Sequence, residues 1–171
     1  MLRIHRPAPN QLGLALTALA AMLLVAAPMA AESHAEGSVA AEIKALIMED
    51  NAYTRENLMD REGGVSKDGS LEFWSSGGLL QKTAADEPPS QYEAFAITPK
   101  HIQVVELPGG EAAVAMYYSE GSMHPKGSSP VGHYMTRVTQ VYVKEDGKWV
   151  IRAAHWSPVA AGSGTSQTSL D

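Results

Sequence analysis

The spacing of apolar residues divides the chain into one helical stretch followed by strands. From Ser38 to Arg61, Ile43, Leu46, Ile47, Tyr53 and Leu58 recur at the broken three-and-four spacing of a helical stripe. Ser38 fits an N-cap, Glu42 falls near the first turn, and Gly63-Gly64 closes the segment. Beyond it the period changes to two. Ser70–Ser75 alternates Leu71 and Phe73 with Glu72 and Trp74, a short strand that Ser75-Ser76-Gly77-Gly78 breaks. Leu79–Tyr92 contains Pro88-Pro89 and reads as loop. Ile97–Leu107 reads as a strand, with Pro99 placing it at a sheet edge. Pro108-Gly109-Gly110 predicts a turn, Glu111–Ser119 a strand, and the glycine- and proline-bearing Glu120–Gly132 a long irregular connection. One long helix followed by hairpin-linked strands is an α+β layout with an antiparallel sheet.

The clearest local signal is Asp146-Gly147, set between Tyr134–Lys144 and Lys148–Ser157, two runs rich in β-branched and aromatic residues. A two-residue loop there makes Glu145 face Lys148. Val143 then opposes Val150, Val141 opposes Arg152, Thr139 opposes Ala154 and Arg137 opposes Trp156 on one face. Tyr142 with Ile151, Gln140 with Ala153 and Val138 with His155 share the other. A bulge would shift this register by one residue. Both faces mix apolar and polar groups, as expected if the helix covers one and a second subunit the other.

Composition changes the picture mainly at the ends. Arg3, His5 and Arg6 precede Leu12–Ala27, a charge-free apolar run of sixteen residues, and small residues follow it. This order predicts a secretory signal peptide over residues 1–31, with cleavage after Ala31 or Ala35 and an extracytoplasmic product, periplasmic or secreted. With no cysteine in the chain, a lipid-modified cysteine and disulfides are both ruled out. The leader holds two of the thirteen basic residues and none of the nineteen acidic ones, so the mature chain carries −8. That charge argues against nucleic acid and anionic membrane as partners. Residues 38–158 suffice for one domain, and 159–171 read as a flexible tail.

The segment Tyr134–Pro158, with Asp-Gly-Lys-Trp at its turn and His155-Trp156-Ser157 at its close, resembles the last two strands of the nuclear transport factor 2-like superfamily. It is similar to the SnoaL-like branch, and to the association domain of calcium/calmodulin-dependent kinase II. The resemblance implies a cone-shaped, strongly curved antiparallel sheet, a long N-terminal helix on its concave face, and a pocket between them. It also implies a homodimer. Members of the superfamily include isomerases, dehydratases and oligomerisation hubs, so fold alone does not choose among them. The kinase association domain has an arginine at the position matching Gln140, and the glutamine here argues against a similarly charged pocket.

Within that frame His155 is the candidate acid/base, or a partly buried histidine bonded to Ser157 or to a carbonyl. Tyr53, Trp74, Tyr117, Tyr134, Arg137 and Trp156 are the candidate pocket residues, the aromatics as walls for an organic ligand and Arg137 as a partner for a carboxylate or phenolate. Asp50 is the helix carboxylate that a His–Asp dyad would require. His124, His133 and His155 lack metal-ligand spacing, and no phosphate loop, dinucleotide fingerprint or nucleophile elbow is present. The expectation is a domain that binds a small, largely apolar organic molecule, without metal or cofactor. The alternatives are an isomerase, cyclase or dehydratase working through His155, and a homo-oligomerising module without ligand.

Overall fold

The computed structural model describes residues 37–159. The expected leader and the tail beyond Val159 lie outside the described residues. Helix α1 spans Val39–Asn57, and Ser38 Oγ accepts the amide hydrogen of Ala41 at 3.2 Å. The carboxylate of Glu106 takes the Ala40 amide at 3.0 Å, so a strand end as well as the cap satisfies the first turn. The helix stops four residues short of Arg61. Leu58 adopts the left-handed conformation (φ 54°), and its N–H closes on the Thr54 carbonyl at 2.8 Å. Asp60 and Arg61 thereby leave the helix.

Six strands follow: β1 Ser70–Phe73, β2 Gln81–Thr83, β3 Tyr92–Glu106, β4 Ala112–Pro125, β5 Val131–Glu145 and β6 Lys148–Pro158. They form one sheet in the order β2-β1-β6-β5-β4-β3. All neighbouring pairs are antiparallel except β1 with β6. The segment read as loop over Leu79–Tyr92 contains β2, and the connection expected over Glu120–Gly132 is mostly strand. There β4 runs on to Pro125 and β5 starts at Val131. Glycine does not end β4; Gly121 sits at a bulge instead, with φ 148°.

Bulges bend the long strands and curve the sheet. One lies between Val141 and Tyr142 opposite Ile151 and Ala153, which leaves Arg152 unpaired. Pairing from Glu145–Lys148 to Tyr142–Ile151 follows the simple hairpin register. Beyond the bulge every pair slips by one: Val141 faces Ala153, Gln140 faces Ala154, Thr139 faces His155, Val138 faces Trp156 and Arg137 faces Ser157. Because side chains alternate, the slip sends His155 and Trp156 to the faces opposite those of the simple register.

The concave face carries Ala113, Ala115 and Tyr117 of β4 with Val138, Gln140 and Tyr142 of β5. The small alanines let α1 approach, and Ile43 and Ile47 pack with this set as the core. Burying each isoleucine stabilises the fold by about 1.5–3 kcal/mol. Glu42 ties the start of the helix to the closing hairpin, accepting from Trp149 Nε1 at 2.6 Å and Lys144 Nζ at 3.3 Å. Arg55 ties its end to β3 through the Ile97 carbonyl at 2.6 Å.

Candidate functional site

The parallel β1–β6 pairing decides what lies at the C-terminal end of the last strand. It sets Leu71 beside Ala153, Glu72 beside Ala154 and Phe73 beside His155. Ala154 faces Gln140 on the concave side, so Ser70 and Glu72 are buried there, at 0% and 5% exposure. Leu71 and Phe73 lie on the convex side at 43% and 44%. The strand therefore buries its polar members and exposes its apolar ones. The Ser70 hydroxyl donates to the Glu72 carboxylate.

Just past β1, the Trp74 ring lies 5.7 Å from that of Trp156, tilted by 37°. Phe73 meets His155 edge-on at 5.5 Å. Together with Ser75–Gly78, Ser157 and Pro158 they line an open groove of about 390 Å³. Tyr134 adjoins it, its hydroxyl donating to Ser75 Oγ at 3.1 Å. Arg137 reaches the same end of β6, donating to the Pro158 carbonyl at 3.3 Å. Five of the seven residues singled out from the sequence thus gather at the ends of β1 and β6. Tyr53 stands apart, under the Arg61 guanidinium at 4.8 Å. Tyr117 is in the core, its hydroxyl donating to Gln140 Oε1 at 2.8 Å. His155 is exposed, and no carboxylate lines the groove with it.

A second polar cluster occupies the concave side. Thr54 and Tyr92 donate to the two oxygens of Asp60, each at 3.2 Å. Burial raises the Asp60 carboxyl above its ordinary range, against the hydrogen bonds from Thr54, Tyr92 and Ser90. Asp50 is raised by burial as well, opposed by Arg61, whose Nε lies 2.9 Å from its Oδ1. Burial also pushes up the phenols of Tyr92, Tyr117 and Tyr142. Thr136 Oγ1 is buried here without a hydrogen-bond partner. Asp60 falls within the expected Ser38–Arg61 helix, and the end of α1 at Asn57 is what lets it turn inward. A second open depression, of about 320 Å³, lies between Asn57–Met59, Gln91–Glu93 and Lys126, and Tyr92 belongs both to it and to the cluster. Among the described residues, no group of His, Asp and Glu side chains is placed to hold a metal ion.

No protein-family model matches the chain, and no curated protein matches it significantly. Solved structures do. A nuclear transport factor 2-like superfamily protein from Salmonella enterica superposes with a TM-score of 0.52 at 16% identity, covering 75% of this chain and 97% of that one. An NTF2-like protein of unknown function from Pseudomonas putida gives 0.48 at 17% identity, over 76% of this chain and 94% of that one. The association domain of C. elegans CaMKII gives 0.44 at 13%, over 68% and 93%. At these identities the likeness concerns fold. The helix on the concave face of a curved, unclosed six-stranded sheet, together with the Salmonella superposition, identifies the chain as having the nuclear transport factor 2-like fold.

Proposed function

We propose that this chain is an exported NTF2-like domain that binds a small, largely apolar organic molecule in the groove beside the Trp74–Trp156 pair. One observation carries the reading: two indoles 5.7 Å apart open onto a groove whose lining contains no lysine, arginine, aspartate or glutamate. Large flat apolar walls with few polar groups are what an organic ligand needs. Ser75–Gly78 supplies hydroxyls and backbone groups at the rim, and the Tyr134–Ser75 hydrogen bond holds its first residue in place.

A thermal-shift screen of small aromatic and alicyclic compounds tests this. Ligands should raise the melting temperature of the parent and fail to raise that of Trp74→Ala. Trp74 is 42% exposed, so its truncation should leave the unliganded melt nearly unchanged. A screen without ligands, or ligands retained by Trp74→Ala, would refute the proposal. Export has its own test, mass spectrometry of the mature N-terminus from the natural host. A first residue between Ala31 and Glu36 is expected, and an intact Met1 would count against it.

A homo-oligomerising role is supported by a different observation. The convex face exposes Leu71, Phe73, Val105, Met116 and Tyr118, an apolar surface of the kind that marks an interface. The two surfaces meet at Phe73 and His155, which lie on the convex side and also line the groove.

A further inference from the structure

We infer that the groove ligand carries a neutral oxygen, a hydroxyl or carbonyl, that hydrogen-bonds with the Thr136 hydroxyl, so that the site selects oxygenated ring molecules over hydrocarbons. The inference rests on the small-molecule reading above and names its ligand class. Thr136 is paired with Pro158 across β5 and β6, and two residues on, Val138 is paired with Trp156. Pro158 and Trp156 both line the groove. Paired residues project to the same side of a sheet with Cβ atoms about 5 Å apart, and diagonal neighbours stay within reach of a large ring. Tyr134, two residues before Thr136 on the same face, reaches Ser75 on the β1 side of the groove. The Thr136 side chain is therefore bracketed by three residues of that lining: Pro158 beside it, Trp156 diagonally, and Ser75 by way of Tyr134.

Thr136 is only 1% exposed, and no group among the described residues pairs with its Oγ1. The other buried side-chain oxygen in that condition, Asp50 Oδ1, has the Arg61 guanidinium 2.9 Å away. A threonine hydroxyl both donates and accepts, and burying it without a partner is unfavourable. Its neighbours do not supply one. Val138 is a hydrocarbon, Pro158 has no N–H to give, and Ser119, its partner on β4, is buried without bonding to it. A valine would occupy nearly the same volume without that cost. Pro158 is the last residue of β6, so what separates the hydroxyl from the groove is a strand end. The groove lining contains no lysine, arginine, aspartate or glutamate to balance an ionic ligand. A neutral hydroxyl or carbonyl answers both facts: it gives Thr136 a partner and brings no charge.

The test compares 2-naphthol with 2-methylnaphthalene, in which a methyl group takes the place of the hydroxyl. Binding is followed by the indole N–H signals of Trp74 and Trp156, with Trp149 as internal control. The naphthol should bind about tenfold more tightly, the scale of one hydrogen bond. Thr136→Val should abolish that preference and leave the affinity for 2-methylnaphthalene unchanged. It should also melt no lower than the parent protein, because it removes an unpaired hydroxyl. Equal affinity of the two compounds for the parent protein would overturn the oxygenated-ligand assignment and leave the small-molecule reading in place. A preference that survives in Thr136→Val would overturn the role of Thr136. A Thr136→Val melt well below the parent's would do the same, since the hydroxyl would then already have its partner within the protein. Binding of neither compound, up to their solubility limits, would overturn both readings.

Discussion

Tyr117 and Tyr142 donate their phenolic protons to the same atom, Oε1 of Gln140, at 2.8 Å each. All three side chains are buried. One amide oxygen, with its two lone pairs, thereby satisfies two hydroxyls at the centre of the core. Replacing Gln140 by methionine keeps the volume and removes the acceptor from both. We expect a loss of about 2–4 kcal/mol, since each stranded buried donor costs about 1–3 kcal/mol. Tyr117→Phe leaves the Tyr142 bond intact and should cost about 1 kcal/mol. Urea unfolding of the two variants and of the double variant checks this. The double variant should lose less than the sum, because only one hydroxyl then remains to be stranded.

Gly121 and Gly127 lie on the same hairpin but differ in their surroundings. A Cβ on Gly121 would fall 2.0 Å from the Ala96 carbonyl oxygen, at a φ of 148°. One on Gly127 would meet open space at a φ of 77°. Gly121→Ala must therefore open the β3–β4 pairing or unbend β4, and should cost more than about 3 kcal/mol. Gly127→Ala carries only the left-handed backbone penalty, about 1 kcal/mol. Thermal melts of the two variants should differ accordingly. Equal losses would remove Gly121's role in bending the sheet.

These residues also mark where the sequence was legible. Asp146-Gly147 announced the closing hairpin, because two flanking β-rich runs and a two-residue turn are local features. The bulge at Arg152 was not, since one inserted residue leaves the alternation on either side intact and shows only in the partner strand. His155 and Trp156 exchanged faces as a result. Ser70–Phe73 was recognisable as a strand, but its alternation could not say which face would be covered. Pairing beside Ala154 buried Glu72 rather than Phe73. Gly121 reads as part of an irregular connection in the sequence because glycine marks turns and bulges alike. The grouping of Trp74 with Trp156 depends on a parallel pairing across some eighty residues of chain, which no local pattern encodes.

The two raised aspartates predict a pH dependence of definite sign. Burial lifts Asp50 and Asp60 above their ordinary value of 3.8 in the folded state. The folded protein then holds protons that the unfolded chain has released, so stability falls as pH rises above 3.8 toward the folded values. The exposed Glu42, Glu120 and Glu145 are lowered, chiefly by hydrogen bonds from Trp149, Lys100 and the Lys67 amide respectively. They act the other way, adding stability above the ordinary glutamate value of 4.5 and losing it as pH falls through their folded values. Asp50→Asn with Asp60→Asn should flatten the decline above pH 3.8 while keeping the acid-side loss, as urea midpoints measured against pH would show. An unchanged slope would mean that neither carboxyl titrates in the window.

Strand register predicts which residues meet across the convex face. Met116 of β4, Thr139 of β5, His155 of β6 and Phe73 of β1 form one row across four strands. Val114, Val141, Ala153 and Leu71 form the next. Met116 and Phe73 are 52% and 44% exposed, with Leu71 close to them at 43%. Two such rows, apolar except for Thr139 and His155, match the self-complementary surface of a twofold dimer, in which each row packs on its symmetry mate. A stable dimer needs about 800 Å² from each partner, which a four-strand face can supply. Sedimentation equilibrium should find the parent dimeric. A lysine at the centre of a row would be buried unpaired in that interface, so Met116→Lys should dissociate it, whereas the same change on an exposed, already charged position such as Glu93→Lys should not. Unchanged circular dichroism in Met116→Lys would show that association and not folding was lost, and a parent protein that sediments as a monomer at micromolar concentration would end the dimer reading.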